Sequence, residues 1–258
     1  MKIALLHGAV INSGDFLIKK RTVDLIKECY VTAEIKEYLR NNISVENLMD
    51  INESDIVIIA GGPLLVRDIG ILYAQNLCQY IKKPIMLLGV GWNGYNDNSN
   101  QINSYIFENN TKKFLERCVS DTKYIGCRDW YSVDVLRGNE IYNSLMTGCP
   151  AWYYLPMIGN SKLQFRGMNN VKKICISDSS NINNKILDIC LIKYLRAEFN
   201  NNTEIYYAMH RDDWRQIDLM KTLEDYKVNV EYISGTAEGF GIYDDCDIHI
   251  GFRVHAHI

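Results

Sequence analysis

The run Asp55-Ile-Val-Ile-Ile-Ala60, followed at once by Gly61-Gly62-Pro63, constrains the fold more than any other stretch. A short apolar run with no polar face reads as a strand buried on both sides of a parallel sheet. Parallel neighbours need crossover connections, usually helices, and the chain supplies them in alternation. Lys2–His7 reads as a strand and Gly8 to Asp15 as a small polar loop. Phe16–Tyr30 follows with a helical pattern, Leu17, Val23, Ile26 and Cys29 inward and Asp15 as the expected N-cap. After the central run come a helix near Ile69–Ile81 and a strand over Pro84–Leu88 ending in Gly89-Val-Gly91-Trp92. A helix around Ile106–Cys118, a strand at Lys123–Cys127 tipped by Arg128-Asp129, a helix over Tyr131–Arg137 closed by Gly138 and a short extended Ser144–Thr147 complete the series. Such alternation predicts an α/β domain around a parallel sheet.

Pro156 to Asn170 lacks periodicity and carries Gly, Asn, Ser and Pro, so it reads as a linker between a domain over 1–160 and a second over 171–258. Alternation then restarts. Strands are expected at Lys173–Ser177, Glu204–Met209, Val228–Ile233 and Asp247–Phe252, helices at Asn184–Phe199 and Asp212–Tyr226, and a short helix or turn at Thr236–Tyr243. The sequence reaches His257-Ile258 where another helix is expected to start. The second domain therefore reads as incomplete, and residues beyond Ile258 are expected in the natural protein, since a half-built sheet would expose helix-docking surface.

Composition narrows the function classes. The 258 residues are 47% hydrophobic and 23% charged, ordinary for a soluble globular protein. A net charge of -3 without any Lys/Arg block argues against nucleic-acid binding, so an anionic ligand must be held by a few placed arginines. Eight cysteines form no CxxC pair and mostly sit in apolar runs, which predicts buried reduced thiols and a cytoplasmic protein. No segment approaches the roughly 20 apolar residues of a transmembrane span. No His/Cys/Asp/Glu spacing suggests a metal site.

In doubly wound sheets ligands bind at the carboxyl ends of strands. Those ends present Asn12-x-Gly14-Asp15, Gly61-Gly62, Gly89-x-Gly91-Trp92 and Arg128-Asp129. Paired glycines allow close backbone approach, although glycine at a strand tip also serves simply to relieve sterics. The absence of GxGxxG and of a P-loop argues against a tightly held dinucleotide or a P-loop nucleotide. Trp92, Trp130, Trp152 and Tyr95 could stack on sugar faces or pack in the core. The closing stretch carries the chemistry: Ile248, Ile250 and Phe252 alternate, Gly251 turns, and Arg253, His255 and His257 follow. Arginine offers a planar fork for carboxylate and phosphate oxygens, and histidine, with an ordinary pKa of about 6.5, moves protons near neutrality. The structural alternative is a buried Arg–carboxylate pair beside a core histidine. His7 and His210 also fall at strand ends and are secondary candidates.

In this order the pieces resemble the polysaccharide pyruvyl transferase family. The matching stretches are Asn12-Ser-Gly14-Asp15, Asp55 to Gly62, Gly89-Val-Gly91, Arg128-Asp129-Trp-Tyr-Ser132, Gly148-Cys-Pro150 and Gly251-Phe-Arg253-Val-His255. The resemblance implies two Rossmann-type α/β domains facing across a cleft, as in GT-B folds. It also implies transfer of a pyruvyl group from phosphoenolpyruvate to a sugar or lipid-linked saccharide, forming a cyclic ketal, with no cofactor beyond that donor. The anion contacts would map onto Arg128 and Arg253 and the site histidine onto His255, with Asn12, Gly14, Asp15, Gly61, Gly62, Gly91 and Trp92 binding substrate. Family members normally continue past the Arg-x-His. A nucleotide-sugar glycosyltransferase and a catalytically idle binding homologue are the alternatives, since fold does not fix function.

Overall fold

In the computed structural model, which describes residues 1–69, 80–94, 102, 104–159, 171–179, 184–199, 202–211 and 217–257, the strands of both halves pair in parallel. The first half contains β1 (Lys2–His7), β2 (Glu34–Leu39), β3 (Ile56–Ala60), β4 (Pro63–Leu65), β5 (Ile85–Leu88), β6 (Gly91–Trp92), β7 (Ile125–Cys127) and β8 (Ser144–Met146). Its main sheet runs β2-β1-β3-β5, and short pairs β4-β6 and β7-β8 extend the set. Leu6 aligns with Ile59, and Ile59 with Leu87. Being interior, β3 has neighbours on both edges and core on both faces, which is why its sequence has no polar alternation. The second half contains β9 (Lys173–Ser177), β10 (Glu204–Met209), β11 (Asn229–Tyr232) and β12 (Ile248–Gly251), in the order β11-β10-β9-β12.

The helices are α1 (Ser13–Cys29), α2 (Val45–Ile51), α3 (Asn109–Thr122), α4 (Trp130–Gly138), α5 (Lys185–Glu198) and α6 (Ile217–Asp225). The expectation that Asp15 caps a helix from Phe16 is corrected, because α1 begins at Ser13 and Asp15 lies within its first turn. Ser13 is tied to the second unit by its backbone N–H, which donates to the His210 carbonyl at 3.0 Å, so the helix starts earlier. Asp15 still complements the positive end of the helix. The sequence reading missed β2 and α2. β2 is an edge strand in which Tyr38 alone is buried, so its apolar pattern is faint. α2 has seven residues, too few to display a helical period, and is set by a Ser44/Asn47 capping box. Residues 70–79 of the expected third-strand helix, 212–216 of the expected later one, Tyr95, and 160–170 of the expected linker lie outside the described residues.

Contacts gather Met1–Gly8 and Ile18–Ile158 into one unit, and Ala9–Leu17 with Gly159–Ile258 into another. The division differs from 1–160 and 171–258 at Ala9–Leu17, which joins the second unit through the Ser13–His210 bond and through Gly235 N–H donating to the Ile11 carbonyl. In each sheet the chain steps one way and then returns on the other side of its first strand. The strand order therefore reverses between β1 and β3 in the first unit and between β9 and β12 in the second. Such switch points open a crevice at the carboxyl ends.

All seven described cysteines are free thiols. Cys118, Cys127, Cys149 and Cys175 are buried as expected, whereas Cys29 and Cys190 are exposed on outer helix faces, a departure from the expectation of buried thiols. Among the described residues no helix is long and apolar enough to cross a membrane, and no group of three or more His, Cys, Asp or Glu could hold a metal ion.

Candidate functional site

The tip of β12 and the tip of β9 flank the switch point of the second sheet. Gly251 ends β12 against Ser177, and a side chain there would collide with the Ser177 carbonyl and hydroxyl. The chain then delivers Arg253, whose backbone N–H donates to Ser177 Oγ at 3.3 Å. Its guanidinium turns inward to Asp178, with Nε at 2.7 Å from Oδ1 and Nη2 at 2.8 Å from Oδ2. Nε also reaches the Asp178 carbonyl at 3.1 Å and Nη2 that of Ser179 at 3.5 Å. The structural alternative raised by the sequence is thus realised for the fork itself. Nη1 alone has no hydrogen-bond partner among the described residues.

Asp178 belongs to a buried four-charge chain. Lys185 Nζ lies 3.7 Å from Asp178 Oδ2 and 3.6 Å from Asp188 Oδ2, and it donates to the Ser179 carbonyl at 3.1 Å. Asp188 Oδ2 also accepts from Ser179 N–H, Ser179 Oγ and Tyr207 OH, the last at 2.7 Å. Two cations and two carboxylates balance, which makes burial of all four tolerable.

His210, at the tip of β10, is fully buried. Its Nδ1 meets Ser13 Oγ and its Nε2 meets Tyr243 OH, each at 2.7 Å, so one hydroxyl donates to the ring and the other accepts from it. Burial, then the Arg253 guanidinium, His249 and His255, push its pKa down to about 3. It is a neutral hydrogen-bonding post between Ser13 and Tyr243. His255, half-buried, lies against Gly14: a side chain on Gly14 would run into the His255 ring. Asn12 and Asp15 bond to each other, Nδ2 donating to Oδ2 at 3.1 Å and the Asp15 N–H to the Asn12 carbonyl at 3.0 Å. Arg253, His255, Asn12, Gly14 and Asp15 therefore belong to one unit, along with Ser13, Asp178 and Tyr243, which sequence reasoning did not single out.

Arg128, Gly61, Gly62, Gly91 and Trp92 belong to the first unit. Arg128 follows β7, with Nε 3.1 Å from Asp129 Oδ2 and Nη2 3.4 Å from the Trp92 carbonyl. Asp129 caps α4, its Oδ1 accepting from the Ser132 N–H and Oγ at 2.7 Å each. Ser132 Oγ in turn accepts from Trp92 N–H at 2.8 Å. Gly91 is bare because the Arg128 side chain crosses it. Both members of the Arg128–Asp129 pair are about one-third exposed, and such a pair is worth only about 0–1 kcal/mol. Arg128 can therefore exchange Asp129 for a ligand anion at small cost, which the buried Arg253–Asp178 pair cannot do. Trp92 packs edge-on against Tyr105, ring centroids 5.4 Å apart, as part of the core.

The His210 environment carries a pH prediction. A histidine held neutral in the fold contributes stability that is complete above its unfolded pKa of about 6.5 and is lost as pH falls, because the unfolded chain takes the proton first. Between pH 6.5 and about 3 this site should cost about 1.4 kcal/mol per pH unit. His249, pushed down to about 4 by burial and then by His257, acts with the same sign. Urea unfolding followed from neutral to acid pH checks this. His210→Gln can bond both hydroxyls without titrating, so it should flatten the slope; an unchanged slope refutes the assignment.

A family model described as polysaccharide pyruvyl transferase matches residues 12–258. Comparison with curated proteins gives no match. Among solved structures, UDP-GlcNAc 2-epimerase from Neisseria meningitidis bound to UDP-GlcNAc is similar with 14% identity and a TM-score of 0.52, covering 99% of this chain and 78% of that one. The S. aureus MnaA–UDP co-structure is similar with 10% identity and a TM-score of 0.58, covering 98% and 74%. At such identities the likeness is one of fold.

Proposed function

Because the chain belongs to the polysaccharide pyruvyl transferase family, we propose that it transfers the pyruvyl group of phosphoenolpyruvate to a sugar, free or lipid-linked, of a cell-surface polysaccharide or its precursor. The product is a cyclic ketal. The observation that carries this reading is the family match across residues 12–258, within which Arg253 and His255 follow the carboxyl end of β12, the strand beyond the switch point of its sheet. The donor has a carboxylate and a phosphate, and arginine is the side chain suited to both. Nη1 of Arg253 is the contact assigned in the second unit, and Arg128, with its exchangeable carboxylate partner, is the candidate anion contact of the first unit considered by itself.

The chemistry balances without a metal or an electron carrier. The donor methylene takes a proton and becomes a methyl group. One sugar hydroxyl adds to the adjacent carbon and gives up its proton. A second hydroxyl then forms the ring bond as the carbon–oxygen bond to phosphate breaks, and inorganic phosphate leaves with the remaining proton. His255 is assigned the proton transfers, imidazole being the side chain most often used for general acid/base work.

The reading is tested by incubating the protein with phosphoenolpyruvate and free or lipid-linked saccharides, scoring ketal by mass spectrometry and phosphate release together. Calorimetric titration against UDP- and GDP-sugars runs in parallel. Binding of a nucleotide sugar with no phosphoenolpyruvate-dependent product would favour the glycosyltransferase reading. Donor binding without ketal would leave a binding homologue.

A further inference from the structure

Arg40 follows β2, and the alternation of strand and helix patterns gives no hint of it. Its side chain does not turn outward. Nη1 donates to the Gly61 carbonyl at 2.9 Å, so the guanidinium reaches from the tip of β2 across the end of β1 to the end of β3. Two glycines, Gly8 and Gly62, make the room. A Cβ on Gly8 would lie 2.8 Å from Arg40 Nη2, and one on Gly62 would lie 2.6 Å from it. Gly61 and Gly62 both hold positive φ, 47° and 74°, which other residues rarely adopt. The charge therefore sits over the place where the strand order reverses in the first sheet, at the carboxyl ends, where open α/β sheets take their ligands.

Among the described residues no carboxylate pairs with Arg40, and the Gly61 carbonyl is the one hydrogen-bond acceptor of its side chain, leaving Nε and Nη2 without a partner there. A structural arginine that is partly buried ordinarily acquires a carboxylate, as Arg253 does here. Arg128 lies along the same edge: Gly91, which its side chain crosses, donates its N–H to the Gly62 carbonyl at 2.8 Å, and Gly62 is packed by Arg40. Two guanidinium groups thus rest on two glycines that are hydrogen-bonded to each other.

We propose that Arg40 is the anchor of a phosphate-binding site at the switch point of the first sheet. The fork of Nε and Nη2 takes two oxygens of a phosphate group, and the bare glycines let that group approach the backbone. The phosphate is that of the donor or one carried by a phosphorylated acceptor sugar. The assignment rests on the transferase reading for these two sources only; the charge at the switch point, unpaired among the described residues, stands without it.

Titration calorimetry with inorganic phosphate, phosphoenolpyruvate and a sugar phosphate, on the wild type and on Arg40→Ala, tests it. The expected result is a loss of about 10- to 100-fold in phosphate affinity, the range for a charged hydrogen-bonded contact, with Arg40→Lys recovering part. The organic ligand that loses affinity in step with phosphate is the source. Gly8→Ala is the second variant: it keeps the charge but pushes the guanidinium off its seat, and it should weaken phosphate binding in the same direction. If Arg40→Ala fails to fold, Gly8→Ala decides. Unchanged affinity for all three ligands in a folded variant overturns the proposal. Since phosphate binding requires no turnover, absence of ketal formation would refute the transferase reading and leave this one standing.

Discussion

His255→Ala is expected to slow turnover by about 10²–10⁴-fold and to leave phosphoenolpyruvate affinity nearly unchanged, the pattern for loss of an acid/base group that does not hold the donor. Of the histidines around β12, the structure separates His255 from His210, the secondary candidate, and from His249. His210 is buried, has both ring nitrogens bonded to hydroxyls and is held neutral with a pKa of about 3. Protonating it would break one of those bonds. His249 is likewise pushed down to about 4. His255 stands half-buried beyond the strand end, in the position the Arg-x-His spacing gives it, with its ring against Gly14. Gly14→Ala is therefore a positional control: the methyl group displaces the ring without removing it, and a misplaced catalytic group costs up to about 10²-fold. Steady-state kcat and KM for both variants, with donor affinity measured separately, give the result. Normal turnover by His255→Ala would overturn the assignment and leave His7, the remaining candidate at a strand end.

How much of this could be read from the chain depends on whether the information is local. The bounds of β9 and β10 are those expected from their apolar runs, because each is buried on both faces and flanked by polar turns. β2 could not be read so, since an edge strand with one buried residue needs no strong pattern. The same distinction runs through the sites. Arg253 and His255 declared themselves by following an apolar strand. Asp178 follows an apolar strand just as closely, but its meaning depends on β12 pairing with β9 rather than with β11, and the partners are 75 positions apart. The Ser13–His210 bond spans 197 positions. Arg40 was hidden twice, by its faint strand and by glycines whose spatial convergence the sequence does not show. Strand order is a property of the whole sheet, and each of these partners waits on it.

Arg253→Ala is expected to cost about 3–5 kcal/mol of folding stability, the range for leaving one charge of a buried pair without its partner. From sequence alone the expectation is a loss of about 2–5 kcal/mol in donor affinity. The geometry places the fold first, because Nε and Nη2 are both committed to Asp178. Without them Asp178, fully buried, keeps the His210 N–H at 3.2 Å and Lys185 at 3.7 Å, the latter shared with Asp188. The chain of two cations and two carboxylates is left with an excess negative charge. Arg253→Lys restores the sign but cannot place two nitrogens on two oxygens, so it should recover only part of the loss. Asp178→Asn makes the opposite imbalance and should also destabilise. Combining Arg253→Ala with Asp178→Asn removes one charge of each sign and leaves Lys185 and Asp188 as a balanced pair. The double variant should therefore be more stable than the sum of the two single losses predicts, by about 1–3 kcal/mol of coupling. Urea unfolding of the four proteins measures this; strict additivity would mean that the pair does not act as a unit. The double variant also isolates the binding role. If it folds and still takes phosphoenolpyruvate with wild-type affinity, Nη1 of Arg253 is not a donor contact, and the charge that holds the donor must come from Arg128 or Arg40.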